Sequence, residues 1–142
     1  MTGETQGWRV LLSHHRTSER HHCYRLGKIH LCARCLGLYP VLLATIGFEV
    51  NLWRFESVYR WFLAVGLVTP AVIDWSRSML FGSRGSNRWR TTTGALAGVG
   101  LGVAFGDYFR DNTSGWFWAL MGVLAVVIGL VWWARPTRPP PP

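Results

Sequence analysis

The sequence has 142 residues, of which 49% are hydrophobic and 14% aromatic, while only 15% are charged. Soluble domains carry about a quarter charged residues, so this composition disfavours an ordinary soluble domain, and the length allows one domain rather than two. The formal net charge is +8, but the basic residues are grouped between apolar stretches. This distribution disfavours a nucleic-acid-binding surface, which needs basic and aromatic residues together on a folded soluble face.

The chain begins with a polar segment, residues 1–35, that holds all five histidines and all three cysteines. Cys32 and Cys35 form a C-x-x-C motif, and Cys23 precedes it. Zinc takes four thiolate or imidazole ligands, and C-x-x-C is a common half-site because its turn brings both sulfurs to one ion. We therefore predict a zinc site that folds this segment onto the membrane surface. The candidate ligands are Cys23, Cys32, Cys35, His14, His15 and His22.

Two other interpretations of the cysteines stay open. Cys35 lies at the start of the first apolar stretch, where a helix dipole and Arg34 favour a thiolate, so the motif could be the reactive dithiol of a thiol-redox or metal-handling enzyme. The cysteines could equally be reduced thiols that bind nothing. A structural disulfide is disfavoured in the cytoplasm, and an iron–sulfur centre is disfavoured because three cysteines leave it one ligand short.

Four apolar stretches follow the polar segment, at residues 36–53, 58–75, 92–109 and 116–134. Each is close to the roughly 20 residues that cross a hydrocarbon core of about 30 Å. The fourth stretch lacks the polar outer face that a helix of a soluble bundle needs. We therefore predict an all-α integral membrane protein: a bundle of four transmembrane helices at 36–134, with a cytoplasmic Cys/His segment before it and a cytoplasmic Pro-rich tail, residues 135–142, after it.

The basic residues predict the orientation of the four stretches. Six of the fifteen Lys and Arg residues lie in the N-terminal segment, four between the second and third stretches and two in the tail, against three in the other two connections. Because cytoplasmic loops carry the excess of Lys and Arg, both termini are predicted to be cytoplasmic. The same basic residues are expected to contact anionic lipid.

Few ionisable residues fall inside the apolar stretches. Glu49 and Asp107 lie near the outer ends of the first and third, where a side chain can reach the interface, so neither is expected to have a functional role. Asp74 lies at the cytoplasmic end of the second stretch, on the same side as the cysteines, and is a candidate site residue.

The third stretch carries a glycine at every fourth position. Helices in lipid associate by close backbone approach at small residues, so these glycines predict a packing face. Its partner is either another helix of the same chain, a second copy or a different membrane subunit. The four residues are Gly94, Gly98, Gly102 and Gly106.

The segments HHRTSERHHCYRLGKIHLCARCLGLY and DWSRSMLFGSRGSNRWRTTTGALAG resemble a family of small prokaryotic membrane proteins defined only as a domain of unknown function (number 2085). The resemblance covers about Ser13 to Gly98 and implies a bacterial or archaeal cytoplasmic membrane, but it implies no activity. His14 stands where the family has a cysteine, and Leu36 replaces a threonine; a histidine still binds zinc. The matching positions are His15, Glu19, Arg20, Cys32, Arg34, Cys35, Gly37, Tyr39, Asp74, Asn87, Arg90 and Gly94.

The resemblance implies a second group of candidate site residues besides the zinc ligands, namely Glu19, Arg20, Arg34, Tyr39, Asp74, Asn87 and Arg90. Asn87 and Arg90 are three residues apart and share a helical face if the third helix begins early. Alternatively, Asn87 caps that helix and Arg90 anchors it at the headgroups.

The function that these observations favour is a non-catalytic accessory subunit or assembly partner of a larger membrane complex, of a respiratory or photosynthetic type. Its expected partners are membrane lipid and other integral membrane subunits, or a second copy bound through the glycine face, and no nucleic acid. The short loops and the lack of a recognisable catalytic motif disfavour an enzyme. The alternative is the thiol-redox or metal-handling enzyme, using the C-x-x-C motif with Asp74 and Arg90.

Overall fold

A computed structural model describes residues 23–26, 29–51, 57–82 and 85–135 of the chain. In these residues an antiparallel hairpin leads directly into four helices. The prediction of an α-helical fold with four helices is confirmed for the described part of the chain, whereas the hairpin was not predicted. The elements are β1 (Cys23–Leu26), β2 (Ile29–Cys32), α1 (Ala33–Asn51), α2 (Ser57–Phe81), α3 (Asn87–Arg110) and α4 (Gly115–Ala134).

The hairpin has a signal in the sequence. The two strands, CYRL and IHLC, are separated by two residues, one of them a glycine. Tyrosine and isoleucine favour strands, and two strand-forming runs joined by a glycine-containing dipeptide are typical of a hairpin. The strands were not predicted because the segment as a whole is polar and rich in histidine and cysteine.

Helices α1, α2 and α3 extend beyond the apolar stretches at the end that carries the cysteines. α1 begins at Ala33, so Arg34 and Cys35 lie in its first turn. α3 begins at Asn87 because the Ser86 side chain caps it, accepting a hydrogen bond from the Trp89 backbone N–H at 3.2 Å. Hydropathy marks only the lipid-facing length of a helix, whereas caps decide where its backbone hydrogen bonds begin and end.

α3 is the central helix of the bundle. α1 packs along its length, α2 packs on another side of it, and α4 contacts α2 and α3 more lightly. The glycines at every fourth position of α3 face α1, and a Cβ atom added at Gly98 would lie only 2.6 Å from the Leu38 carbonyl oxygen. At Gly106 an added Cβ would lie 2.6 Å from the Cβ of Glu49. The glycine face is therefore covered by α1 of the same chain.

α4 is attached to the other helices mainly through its first turns. Phe117 and Leu120 are its buried residues, and they pack against Ala64 and Ala104. Tyr108 of α3 stacks on Phe117 with a ring-centroid distance of 4.6 Å. Beyond Leu120 the helix is largely exposed.

Among the described residues, α1 and α4 are long and apolar enough to cross a membrane, judged by length and composition. α2 and α3 have 25 and 24 residues, which is also sufficient length. They are less apolar because α2 carries Arg60, Asp74 and Arg77, and because α3 uses glycine where a lipid-facing helix uses bulky apolar residues. α3 can do so because its neighbours shield it.

Candidate functional site

An ion pair joins the start of α1 to the last turns of α2. The Arg34 guanidinium Nη2 donates to Asp74 Oδ2, and both side chains are mostly buried. The two residues are 40 positions apart in the sequence. The pair therefore fixes two helices that both pack on α3 and otherwise make little contact with each other.

Arg90 brings α3 to the same point. Its side chain is buried, with the residue 5% exposed, and its Nη2 donates to Ser78 Oγ at 3.1 Å. A Cβ atom added at Gly85 would lie 3.6 Å from Asp74 Oδ1 and 3.7 Å from Arg90 Nε. The acidic and basic side chains thus face one small space beside Gly85. Arg34, Asp74, Ser78 and Arg90 are called the Arg34 cluster below.

The hairpin rests on α3 next to this cluster. The Thr91 hydroxyl lies 3.0 Å from the Ala33 carbonyl oxygen and 3.5 Å from the Tyr24 hydroxyl. A Cβ atom at Gly37 would collide with the backbone of Thr91. The glycine at position 37 therefore allows α1 to approach α3 closely just after the hairpin.

The three cysteines are neighbours at the base of the hairpin. Cys23 and Cys32 are partners across the two strands, and both are buried. Cys35, one turn into α1, is half-buried and hydrogen-bonds to the Cys32 side chain. All three are reduced. Arg34 was expected to favour a thiolate at Cys35, but this expectation is wrong. Its guanidinium binds Asp74, and the hydrogen bond to Cys32 together with burial raises the pKa of Cys35 in spite of the arginine charge.

The structure tests the predicted zinc site only in part. Within the described ranges, no group of three or more His, Cys, Asp or Glu side chains is arranged to hold a metal ion. The remaining predicted ligands and two further candidate residues lie outside those ranges: His14, His15, His22, Glu19 and Arg20. Zinc therefore remains a prediction.

The other residues singled out from the sequence divide into two groups. Arg34, Asp74 and Arg90 come together, and Asn87 lies one turn before Arg90 as the first residue of α3. The helix is capped by Ser86, so the alternative that Asn87 is the cap is wrong. Tyr39 is 58% exposed on α1 and does not share their burial.

A second cluster of charges lies at the opposite ends of the helices. Arg60 of α2 donates to Glu49 Oε2 of α1 and to Asp107 Oδ1 of α3, each at 2.5 Å. The Ser114 hydroxyl donates to Asp107 Oδ2 at 2.8 Å. Glu49 is 0% exposed, so the expectation that it reaches the interface is wrong. Glu49, Arg60, Asp107 and Ser114 are called the Arg60 cluster below.

Sequence reasoning missed the Arg60 cluster because each charge was considered alone. Glu49 and Asp107 both lie near the outer ends of predicted spans, and Arg60 begins the span between them, so all three share one end of an up-and-down bundle. An ionisable residue inside a membrane normally pairs with another. A search for opposite charges at the same depth would have found the cluster.

The short connection after α3 is ordered by its own polar groups. The Thr113 side chain and backbone N–H both donate to Asp111 Oδ1, at 2.5 and 3.0 Å. These hydrogen bonds stabilise the ionised carboxylate and lower the pKa of Asp111. The turn places Ser114 at the start of α4, where its hydroxyl reaches Asp107.

An apolar groove of about 560 Å³ runs between α1 and α2, with α3 as its floor. Its walls include Pro40, Phe48 and Leu63, and its floor includes Val99 and Val103. Because the lining is almost entirely apolar, the groove suits a lipid chain rather than a polar substrate.

The Arg34 cluster and the Arg60 cluster both connect different helices through ion pairs and hydrogen bonds. Each carboxylate in them accepts a hydrogen bond from an arginine of another helix, and together they connect α1, α2 and α3 at both ends of the glycine face. Separating the helices would leave the buried charges of these pairs without their partners, which is strongly unfavourable.

Comparison with known proteins agrees with the membrane character of the chain. No curated protein and no solved structure matched it. The family described as "Predicted membrane protein (DUF2085)" matches residues 14–104, which contain the hairpin, the Arg34 cluster and the first three of the four glycines of the glycine face. Since this match covers more than half of the sequence, the chain belongs to that family of predicted membrane proteins.

Proposed function

We propose that this chain is a four-span inner-membrane protein with both termini in the cytoplasm, and that it is a non-catalytic subunit or assembly partner of a larger membrane complex. Two features support the topology. The four helices have 19, 25, 24 and 20 residues, close to the length that crosses a bilayer. The excess of Lys and Arg lies on the side of the N-terminal segment, the α2–α3 connection and the tail.

The observation that carries the assembly role is an open face on α4. In the part of the chain that the structure describes, no heavy atom lies within 4 Å of a Cβ added at Gly122 or Gly129, in contrast to the covered glycines of α3. Together with Ala119 and Val126, which are also exposed, they recur at spacings of three and four residues and so form one stripe of a helix. Transmembrane helices use such stripes of small residues to approach each other closely.

The packing of α4 within the chain also favours a partner. α4 joins its own bundle through Phe117 and Leu120, while Trp133 at the other end is 86% exposed. Lipid tails contact apolar side chains as well as protein does, so only close packing holds a helix in place. A neighbouring helix on the small-residue stripe would supply that packing.

The clusters support a structural rather than a catalytic role. Their charged side chains connect helices, and the groove that Glu49 of the Arg60 cluster borders is otherwise almost entirely apolar. Charged side chains that are engaged in ion pairs between helices are suited to holding a membrane scaffold together. They are less suited to a site that must bind and release a polar substrate.

A photo-crosslinking experiment tests the assembly role. A benzophenone side chain at Val126, on the stripe, is expected to give a defined adduct with a membrane protein in native membranes. The matched control is the same group at Ile128, which is exposed on the opposite side of α4, about 200° around the helix. Adducts are expected at Val126 only, and they should disappear in the Gly122→Leu variant because the larger side chain blocks close approach. Equal labelling at both positions, or protein adducts at neither, contradicts the assembly role.

We further propose that zinc holds the cysteine hairpin as a clasp on the cytoplasmic surface. Cys23 is the cross-strand partner of Cys32, and Cys35 is hydrogen-bonded to Cys32. In the described residues the three thiols are not arranged around an ion, so the clasp requires them to converge on the zinc, with one of the histidines at 14, 15 and 22 as the fourth ligand of a tetrahedral site. The role is structural: a segment this short cannot form its own core, and a metal can fold it.

Metal analysis of detergent-purified protein tests the clasp. We expect about one zinc per chain, in accord with a structural site. The double variant Cys32→Ser/Cys35→Ser should lose the metal and melt lower, by roughly 8 °C if about 2 kcal/mol is lost. A chelator should lower the melting temperature of the wild type but not of the double variant, which serves as its control. A metal-free protein with fast-reacting thiols would contradict the clasp and favour the thiol-redox alternative.

A further inference from the structure

The register of the hairpin defines the geometry of its two cysteines. Leu26 and Ile29 are the pair next to the two-residue connection, and the pair that flanks such a connection exchanges backbone hydrogen bonds. Hydrogen-bonded and non-hydrogen-bonded pairs then alternate along an antiparallel ladder. Cys23 and Cys32, three pairs further on, are therefore a non-hydrogen-bonded pair.

A non-hydrogen-bonded pair is the closer of the two types. Its Cα atoms are about 4.5 Å apart and its side chains lie on the same face of the ladder. Disulfides join Cα atoms about 4.4–6.8 Å apart. Cys23 and Cys32 can therefore be bridged with little movement of the strands.

We infer that the hairpin is a thiol–disulfide site, in which a low-molecular-weight disulfide oxidises Cys23 and Cys32 to a cross-strand disulfide and Cys35 relays the exchange. The inference concerns a bond between the strands, not within the C-x-x-C motif. Its chemistry needs only the three thiols; its effect on a metal rests on the proposed zinc clasp.

The relay follows from the order of exposure. Cys35 is half-buried, whereas Cys23 and Cys32 are 9% and 7% exposed, so a small disulfide RSSR meets Cys35 first. The hydrogen bond to Cys32 and burial raise the pKa of the Cys35 thiol, so the exchange proceeds through a small population of the thiolate. This thiolate attacks RSSR, forming a mixed disulfide and releasing one RS⁻. Cys32, which is hydrogen-bonded to Cys35, then attacks the Cys35 sulfur and releases the second RS⁻.

The last step moves the bond across the strands. The Cys23 thiolate attacks the Cys32 sulfur, and Cys35 leaves as a thiolate. In total two protein thiols lose two electrons and two protons, and RSSR is reduced to two RSH. The Cys23–Cys32 disulfide is favoured over the Cys32–Cys35 one because the strand register already holds the two Cα atoms within disulfide range and because both residues are buried, away from reductants.

Oxidation would also change the proposed metal site. A disulfide between Cys23 and Cys32 removes two of the three thiolates that the clasp would use, because only the thiolate is a metal ligand. The hairpin would then be held by a covalent bond in place of the ion, and the metal would be released.

Peptide mapping can distinguish the possible disulfides directly. Trypsin cuts after Arg and Lys and so places each cysteine on a separate peptide. The peptides are residues 21–25, 29–34 and 35–54, which carry Cys23, Cys32 and Cys35, respectively. The full chain in detergent is treated with oxidised glutathione and a chelator, its remaining thiols are alkylated, and it is digested without reductant.

The expected product is peptide 21–25 linked to peptide 29–34, with the alkylating group on Cys35. In the Cys35→Ser variant the same product should form at least ten times more slowly, and in the Cys23→Ser variant the bond should remain between Cys32 and Cys35. A link between 29–34 and 35–54 in the wild type, or alkylation of all three cysteines, overturns the cross-strand disulfide. An unchanged rate in Cys35→Ser overturns the relay.

Zinc content of the reduced protein separates this inference from the clasp. The cross-strand peptide from a chain that never contained zinc supports the disulfide and rejects the clasp. Zinc in the reduced chain with all three cysteines alkylated after oxidation supports the clasp and rejects the disulfide. If both the zinc clasp and the cross-strand disulfide are correct, adding oxidised glutathione without a chelator should release the metal as the linked peptide appears.

Discussion

Replacing Arg60 with methionine is expected to destabilise the protein by about 3–5 kcal/mol, the usual cost of removing one partner of a buried ion pair. Arg60 is the cation that both Glu49 and Asp107 bind. Without it two carboxylates of the same charge remain at one end of the bundle, and one of them is fully buried. Thermal unfolding in detergent, followed by the fluorescence of the nine tryptophans, measures the loss.

Arg77→Met is the matched control, because Arg77 is an exposed arginine of the same helix. It should change stability by less than about 0.5 kcal/mol, as is usual for surface substitutions. Neutralising the carboxylates as well, with Glu49→Gln and Asp107→Asn, should recover much of the loss, since replacing a whole buried ion network is often nearly neutral. Equal melting of the Arg60 and Arg77 variants would show that the cluster does not hold the helices together.

Gly98→Ala is expected to destabilise the bundle by about 1–3 kcal/mol, the usual cost of overpacking, although alanine is the better helix former. The added methyl would lie 2.6 Å from the Leu38 carbonyl oxygen and 3.1 Å from the Leu42 backbone nitrogen. Both are backbone atoms, so a side-chain rotation cannot relieve the clash, and α1 must move away from α3. The readout is the same thermal unfolding experiment.

Gly66→Ala is the control for this substitution. Gly66 lies within α2, and an added Cβ there would meet no heavy atom of the described residues within 4 Å. The change should leave stability unchanged or raise it by up to about 1 kcal/mol, the difference in helix propensity. If Gly98→Ala is tolerated as well as Gly66→Ala, close packing of α1 on α3 is not what stabilises the bundle.

The helices were largely predictable, because hydropathy reports which residues face lipid. The fourth apolar stretch, 116–134, differs from α4 by one residue at its start. The prediction for the third apolar stretch was less accurate, because α3 begins five residues before position 92. There the chain is polar, and the Ser86 cap rather than hydropathy sets the beginning of the helix.

The candidate site was predictable only as a set of residues. Asp74, Arg34 and Arg90 could be singled out individually, but the sequence does not show that Arg34 binds Asp74 and not the neighbouring thiol. Glu49 was misjudged for the same reason: its burial depends on Arg60 and Asp107, which come from two other helices. Pairing of side chains across helices depends on how the helices are arranged.

The sequence by itself determined that the described part of the chain has four helices, that α3 carries a face of glycines, and that the thiols gather at one end. These are properties of local composition and of the helical period. Only the tertiary structure decided that the glycine face is covered by α1, that a hairpin places Cys23 opposite Cys32, and that the open small-residue face belongs to α4. A periodic pattern fixes which side of a helix can be approached closely, but which element approaches it depends on the packing of the whole chain.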